Sequence, residues 1–149
     1  MFEPMVARLI RDQPADYITL KLGINVHGGA VSERTFSSSV IGLIQIIREK
    51  HPLTPLVVIS PIFSPDREKT KAFPMSLTLE EMRSELCQVT EICRAYGDAH
   101  IYYVNGLTLI GPSELHYMPD RLHPDGDGQF VIADRMIKNV FQETLCPRV

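Results

Sequence analysis

The chain has 149 residues, 44% of them hydrophobic, which suits a single domain, residues 1–149, with a real core. Its 15 basic and 18 acidic residues nearly balance, so no basic stripe marks a nucleic-acid surface and no like-charge run marks a disordered tail. The longest apolar stretch, VIGLIQII at 40–47, is interrupted by Gln45 and far too short to span a membrane.

The opening segment, MFEPMVARLIRDQP, carries Glu3 and Arg8 among its apolar residues and does not read as a signal peptide. Residues 2–11 are expected to be helical, with Phe2, Met5, Val6, Leu9 and Ile10 at helical spacing, and Pro14 ends the element. ADYITLKLG follows as a strand expected to be covered on both faces, closed by Gly23. The polar, Gly-rich INVHGGAVSER leads to a helix near 34–50 whose buried stripe is Val40, Leu43, Ile44 and Ile47. PLVVISPI at 55–62 is a second, β-branched strand. After it, Pro61, Pro65 and Pro74 punctuate a long charged loop of the kind that usually has a function.

Thr78 and Glu81 have the spacing of a capping box. They open a helix with Leu79, Met82, Leu86, Val89, Cys93 and Tyr96 on one face and Gly97 as its stop. AHIYYVNG at 99–106 is the third strand. A loop then runs to a final helix from about Asp125, in which Phe130, Ala133, Ile137, Val140 and Phe141 are expected to face inward. Strands alternating with helices imply an α/β fold, a parallel sheet between helical layers. Ligands in such sheets bind beyond the carboxyl ends of the strands, so the loops after Gly23, Ser60 and Asn105 should share one rim. The cysteines Cys87, Cys93 and Cys146 are odd in number and lack CxxC spacing, which points to reduced thiols and a cytoplasmic chain.

Within DRLHPDGDG, at 120–128, Asp120 and His123 are three residues apart in a turn ahead of a helix start at Asp125. A carboxylate so near an imidazole can hold one ring nitrogen and leave the other to take a proton, the arrangement of a general base and its orienting acid. Asn25, at a strand's carboxyl end, has a side-chain amide suited to stabilising an oxyanion. A lone D-x-x-H is more often an ordinary exposed turn, and a lone Asn beside Gly more often a turn residue. Other site chemistries fit less well. Asn25 replaces the middle glycine of a dinucleotide fingerprint. The twelfth position of the DGDG segment is Met136 where a calcium loop needs Glu. His116, Asp120 and His123 have no third histidine spaced to complete a zinc site. No cofactor or metal is expected.

Taken together, LKLGIN and DRLHP resemble the G-x-N and D-x-x-H-P blocks of the SGNH hydrolases, also called GDSL esterases and lipases. VVISPIFSP and the segment NGLTLIGPSELHYMPDRLHPDGDG are similar to that family as well, so the resemblance covers essentially the whole chain. It implies a three-layer αβα, flavodoxin-like parallel sheet and Ser–His–Asp chemistry on a small acyl ester. His123 would be the base, Asp120 its orienting acid and Asn25 an oxyanion-hole donor. Val26 departs from the family, which often has Asp after that Asn.

The larger departure is that the sequence contains no G-D-S and no G-x-S-x-G. The resemblance therefore implies a domain truncated at its N-terminus, with three core strands and its nucleophile block missing. Ser60, Ser64 and Ser113 lie on the correct rim or loop but not on a strand-to-helix elbow that would activate them. Two readings follow: an ester hydrolase or acyltransferase domain without its serine, or a non-catalytic α/β binding or assembly module. The strand at 17–23 would then be an uncovered sheet edge bearing Ile18, Leu20 and Leu22, and a homo-oligomer is expected through it.

Overall fold

A computed structural model of the chain describes residues 3–29 and 31–145; Phe2 and Cys146, named above, lie outside that range. The elements run α1 (Pro4–Arg11), β1 (Ile18–Lys21), α2 (Phe36–Arg48), β2 (Leu56–Ile59), α3 (Leu79–Ala95), β3 (Ile101–Val104) and α4 (Gly126–Arg135). A π-helical run, Met136–Leu145, continues directly from α4.

All three strands are parallel, in the order β1-β2-β3, with Leu20 beside Val58 and Val58 beside Tyr103. Both crossovers step the same way across the sheet, and right-handed connections put α2 and α3 on one face. There Ile18, Leu20, Leu56 and Val58 pack against Val40, Ile44, Leu86 and Val89, with α1 joining through Ala7. On the second face, Val57, Ile59 and Val104 meet Ile110, Met118 and Val140. This is the αβα architecture expected, on three core strands.

β2 is buried at every residue, as its unbroken apolar run requires. β1 is not covered on both faces, contrary to its sequence. Ile18 and Leu20 are buried whereas Thr19 and Lys21 are exposed, because α4 and its extension pack over β2 and β3 and leave β1's second face open. β1 is an edge strand, as anticipated, but Ile18 and Leu20 point into the core, and what the edge offers is backbone.

The local signals at α3 are realised. The Glu81 N–H donates to Thr78 Oγ1 at 3.1 Å, and the Thr78 N–H donates to Glu81 Oε2 at 2.8 Å. Gly97 ends the helix at φ +100°. Tyr96, expected on the buried face, is instead 90% exposed. It is already the C-cap, with ψ 14°, so helical periodicity no longer aims its side chain.

The inward face expected of the last helix is also corrected. Phe130 is 76% exposed, Ala133, Ile137 and Phe141 also face solvent, and of the five residues only Val140 is buried. Val131, Ile132 and Met136 pack on the core in their place. Arg135 helps fix this rotation by donating to the Leu109 carbonyl at 2.9 Å and to Glu114 Oε1 at 3.0 Å. Beyond Arg135 the π-helical bonds close i to i+5, so side chains no longer repeat every 3.6 residues.

The two ends of the sheet differ. At the amino ends, Arg48 forks onto Asp98 at 2.8 and 3.0 Å and donates to the carbonyls of His51 at 2.7 Å and Thr54 at 2.6 Å. One guanidinium thus fastens α2 to the segments leading into β2 and β3. The carboxyl ends open instead into polar loops.

Candidate active site

Three loops meet at that open end around a cavity of about 790 Å³, lined by Asn25 after β1, Ser64 and Arg67 after β2, and Asp120 and His123 after β3. Asn25, Asp120 and His123, the three site residues expected from the sequence, all line the same cavity.

Asn25 stands in a short 3₁₀ turn, Ile24–Val26, that starts at Gly23 with φ +111°. A Cβ at Gly23 would lie 2.7 Å from Pro61 Cγ, so only glycine lets the chain turn against β2's exit loop. The turn leaves Asn25 exposed, and its amide makes no hydrogen bond among the described residues.

Asp120 organises its own turn. Its Oδ1 accepts the N–H of Leu122 at 2.9 Å and of His123 at 2.6 Å. Its Oδ2 lies 2.6 Å from His123 Nδ1. These contacts, the His123 N–H first and then the ring, hold the Asp120 carboxyl well below the usual carboxylate range. With Nδ1 turned to the carboxylate, a proton there is donated to Asp120 and Nε2 remains as the basic nitrogen. Among the described residues Nε2 has no hydrogen-bond partner, and the His123 side chain is 76% exposed.

One of the two residues between them, Arg121, was not singled out from the sequence, yet it fastens the loop. Arg121 adopts φ +62°, the left-handed region that side chains rarely occupy. Its guanidinium grips Asp66 at 2.9 and 2.8 Å, and its carbonyl accepts from Ser64 Oγ at 2.9 Å. Two contacts therefore tie the Asp120–His123 loop to the loop after β2. The run of charges at 66–69 was the available sequence signal, but its partner 55 residues away could not be inferred from spacing.

The alternative serines are accounted for. Ser60 is buried, with its Oγ accepting from the Gly106 N–H at 3.0 Å and from the Tyr103 hydroxyl at 3.0 Å. Ser64 is buried and committed to Arg121. Ser113 donates to Glu114 at 3.0 Å and does not line the cavity. His27, which does line it, is held by the Thr70 carbonyl at 2.9 Å. Among the described residues no group of three His, Cys, Asp or Glu side chains has a metal-binding arrangement.

A parallel sheet between helical layers, with polar loops gathered on its carboxyl rim, defines an α/β chain of three-layer αβα architecture. More particularly, the architecture is an SGNH/GDSL-like hydrolase fold. A solved structure described as the salicylyl-acyltransferase SsfX3 from a tetracycline biosynthetic pathway matches 99% of this chain at 32% identity, with a TM-score of 0.84. A protein described as a GDSL-like lipase from Bacteroides ovatus matches 93% of it at 21% identity and a TM-score of 0.69, a likeness of fold alone. The chain spans 43% and 37% of the lengths of those two proteins. No protein-family profile and no curated protein matches it.

Proposed function

We propose that this chain supplies the base side of an SGNH/GDSL-type ester hydrolase or acyltransferase. His123 is the general base, Asp120 orients it, Asn25 donates to the oxyanion, and the attacking serine comes from polypeptide outside these residues. The observation that carries the reading is the 2.6 Å contact between Asp120 and His123 on a cavity shared with the Asn25 amide, which makes no hydrogen bond among the described residues. The commitment of Ser60 and Ser64 to structural hydrogen bonds supports an external nucleophile.

In this mechanism Nε2 takes the serine proton as the hydroxyl attacks the ester carbonyl, and the oxyanion forms against the Asn25 amide. Collapse expels the alcohol, which leaves with the proton from His123. Water or a second alcohol, deprotonated by the same nitrogen, then releases the acyl group. A small acyl ester is thus the substrate.

The chain on its own is expected to have negligible activity on p-nitrophenyl acetate and no labelling by a fluorophosphonate. Joining it to a G-D-S-bearing segment of the same fold should restore both, and His123→Ala should abolish turnover in that longer protein. Stoichiometric labelling of the 149-residue chain at Ser60, Ser64 or Ser113 would overturn the assignment.

The use of this chain as an assembly unit has its own support. Met5, Val6, Leu9 and Tyr17 are exposed apolar residues around the segments that lead into the edge strand. A homodimer or higher oligomer formed through this side is part of the proposal. No described helix is long and apolar enough to cross a membrane. The free Cys87 and Cys93 thiols fit a reducing, cytoplasmic setting.

A further inference from the structure

We propose that the cavity is built for an ester whose non-reacting part carries a negative charge, held by Arg67 and Lys21. The inference rests on the ester-site reading and adds the substrate's charge to it.

The cavity is lined by two acids, Asp66 and Asp120, and by two cations, Lys21 and Arg67. Both acids are already engaged. Asp66 is gripped by Arg121, and Asp120 by its turn amides and the His123 ring. The cations are not. Neither Lys21 nor Arg67 takes part in an ion pair among the described residues.

Strand alternation sets the position of Lys21. Ile18 and Leu20 enter the core, so Lys21 emerges on the opposite face, at the carboxyl end of β1 and beside the rim. Its surroundings desolvate the ammonium and lower its pKa, although the residue keeps exposed surface. Arg67 is pinned through its backbone. Its N–H donates to the Ser64 carbonyl at 3.0 Å, and its carbonyl accepts from the Leu79 N–H at 3.0 Å. Its guanidinium makes one long contact, to Ser64 Oγ at 3.4 Å, which leaves most of its fork unpaired.

A positioned guanidinium with free donors is suited to a planar anionic oxygen group, and a nearby ammonium adds a point charge. Neither cation is held in an ion pair among the described residues, although Arg67 lies in the field of Asp66, so an arriving anion meets available positive charge. The cavity is of the size that holds a small molecule, so one ligand can span it. Its ester carbonyl would meet Asn25 and His123 while its anionic end meets Arg67 and Lys21.

Monomethyl succinate and dimethyl succinate test this, because both are esters and only the first is anionic at neutral pH. Amide and imidazole NMR signals of Asn25 and His123 would be followed during titration of the 149-residue chain with each. The expected result is a dissociation constant lower for the monoester by about tenfold or more. Arg67→Gln and Lys21→Gln should each shrink that ratio, as should added salt. Equal or tighter binding of the diester, or a ratio that survives both substitutions, would overturn the inference and leave the ester site standing. Titrations in which neither ester perturbs Asn25 or His123 would overturn the ester site and the inference together.

Discussion

Asp120 combines three jobs in one carboxylate: it closes a turn through two backbone N–H groups, holds a ring nitrogen and stays ionised. Because its pKa is depressed on folding, the stability it contributes is present above its unfolded value of 3.8 and is lost as pH falls through the folded one. Its carboxyl ¹³C shift should therefore stay flat from neutral pH down to about pH 3, where an ordinary aspartate has already titrated. A midpoint near 4 would mean that the turn contacts do not form in solution. Glu114 behaves alike for another reason. Arg135 and the Gly111 N–H hold its pKa down to about 2, so Glu114→Gln should flatten the acid limb of the stability curve below about pH 4.5.

Elements here owe their boundaries to identifiable residues. Thr78→Ala removes a capping box at the head of the longest helix and should cost about 1 kcal/mol in chemical denaturation. Gly23→Ala should cost about 1–3 kcal/mol by the same measurement, since the new Cβ meets Pro61 in a backbone region closed to alanine. The capping box, the Gly97 stop, the Asp125 cap and the parallel α/β order were all legible in the sequence, because each depends on residues near one another along the chain. The Asp120–His123 contact was legible for the same reason. What sequence missed depends on partners far away. The rotation of α4 follows from Arg135 reaching Glu114 and from a change to π-helical bonding, neither of which a 3.6-residue pattern reports. The half-covered β1 depends on where α4 stops across the sheet, and the cations Lys21 and Arg67 acquire meaning only when two loops converge.

At the scale of the whole molecule, polar work is concentrated at one end of the sheet and fastening at the other. Hydrogen exchange should follow that division, with slower amides around the Arg48 clamp than around residues 24–29 and 119–124. Laterally, the sheet ends at β1 in an edge that is unpaired among the described residues and lies near exposed apolar side chains, a template for pairing. Sedimentation at micromolar concentration should give a dimer or larger species, and a monomer alone would contradict the assembly proposal. Leu9→Glu should weaken that association with little effect on folding, because Leu9 is 64% exposed.

The left-handed backbone at Arg121 turns ionic strength into a control on the candidate base. Holding a non-glycine residue at φ +62° costs on the order of 1 kcal/mol, and the loop offsets that cost partly through an exposed guanidinium–carboxylate grip on Asp66. Salt screens such a grip while leaving the buried Ser64 contact largely untouched. Raised salt is therefore expected to loosen one of the two tethers and to change the His123 ring signals in NMR more than those of His51, which lies at the other end of the sheet. The aim of His123 then becomes a property of the solution as well as of the fold.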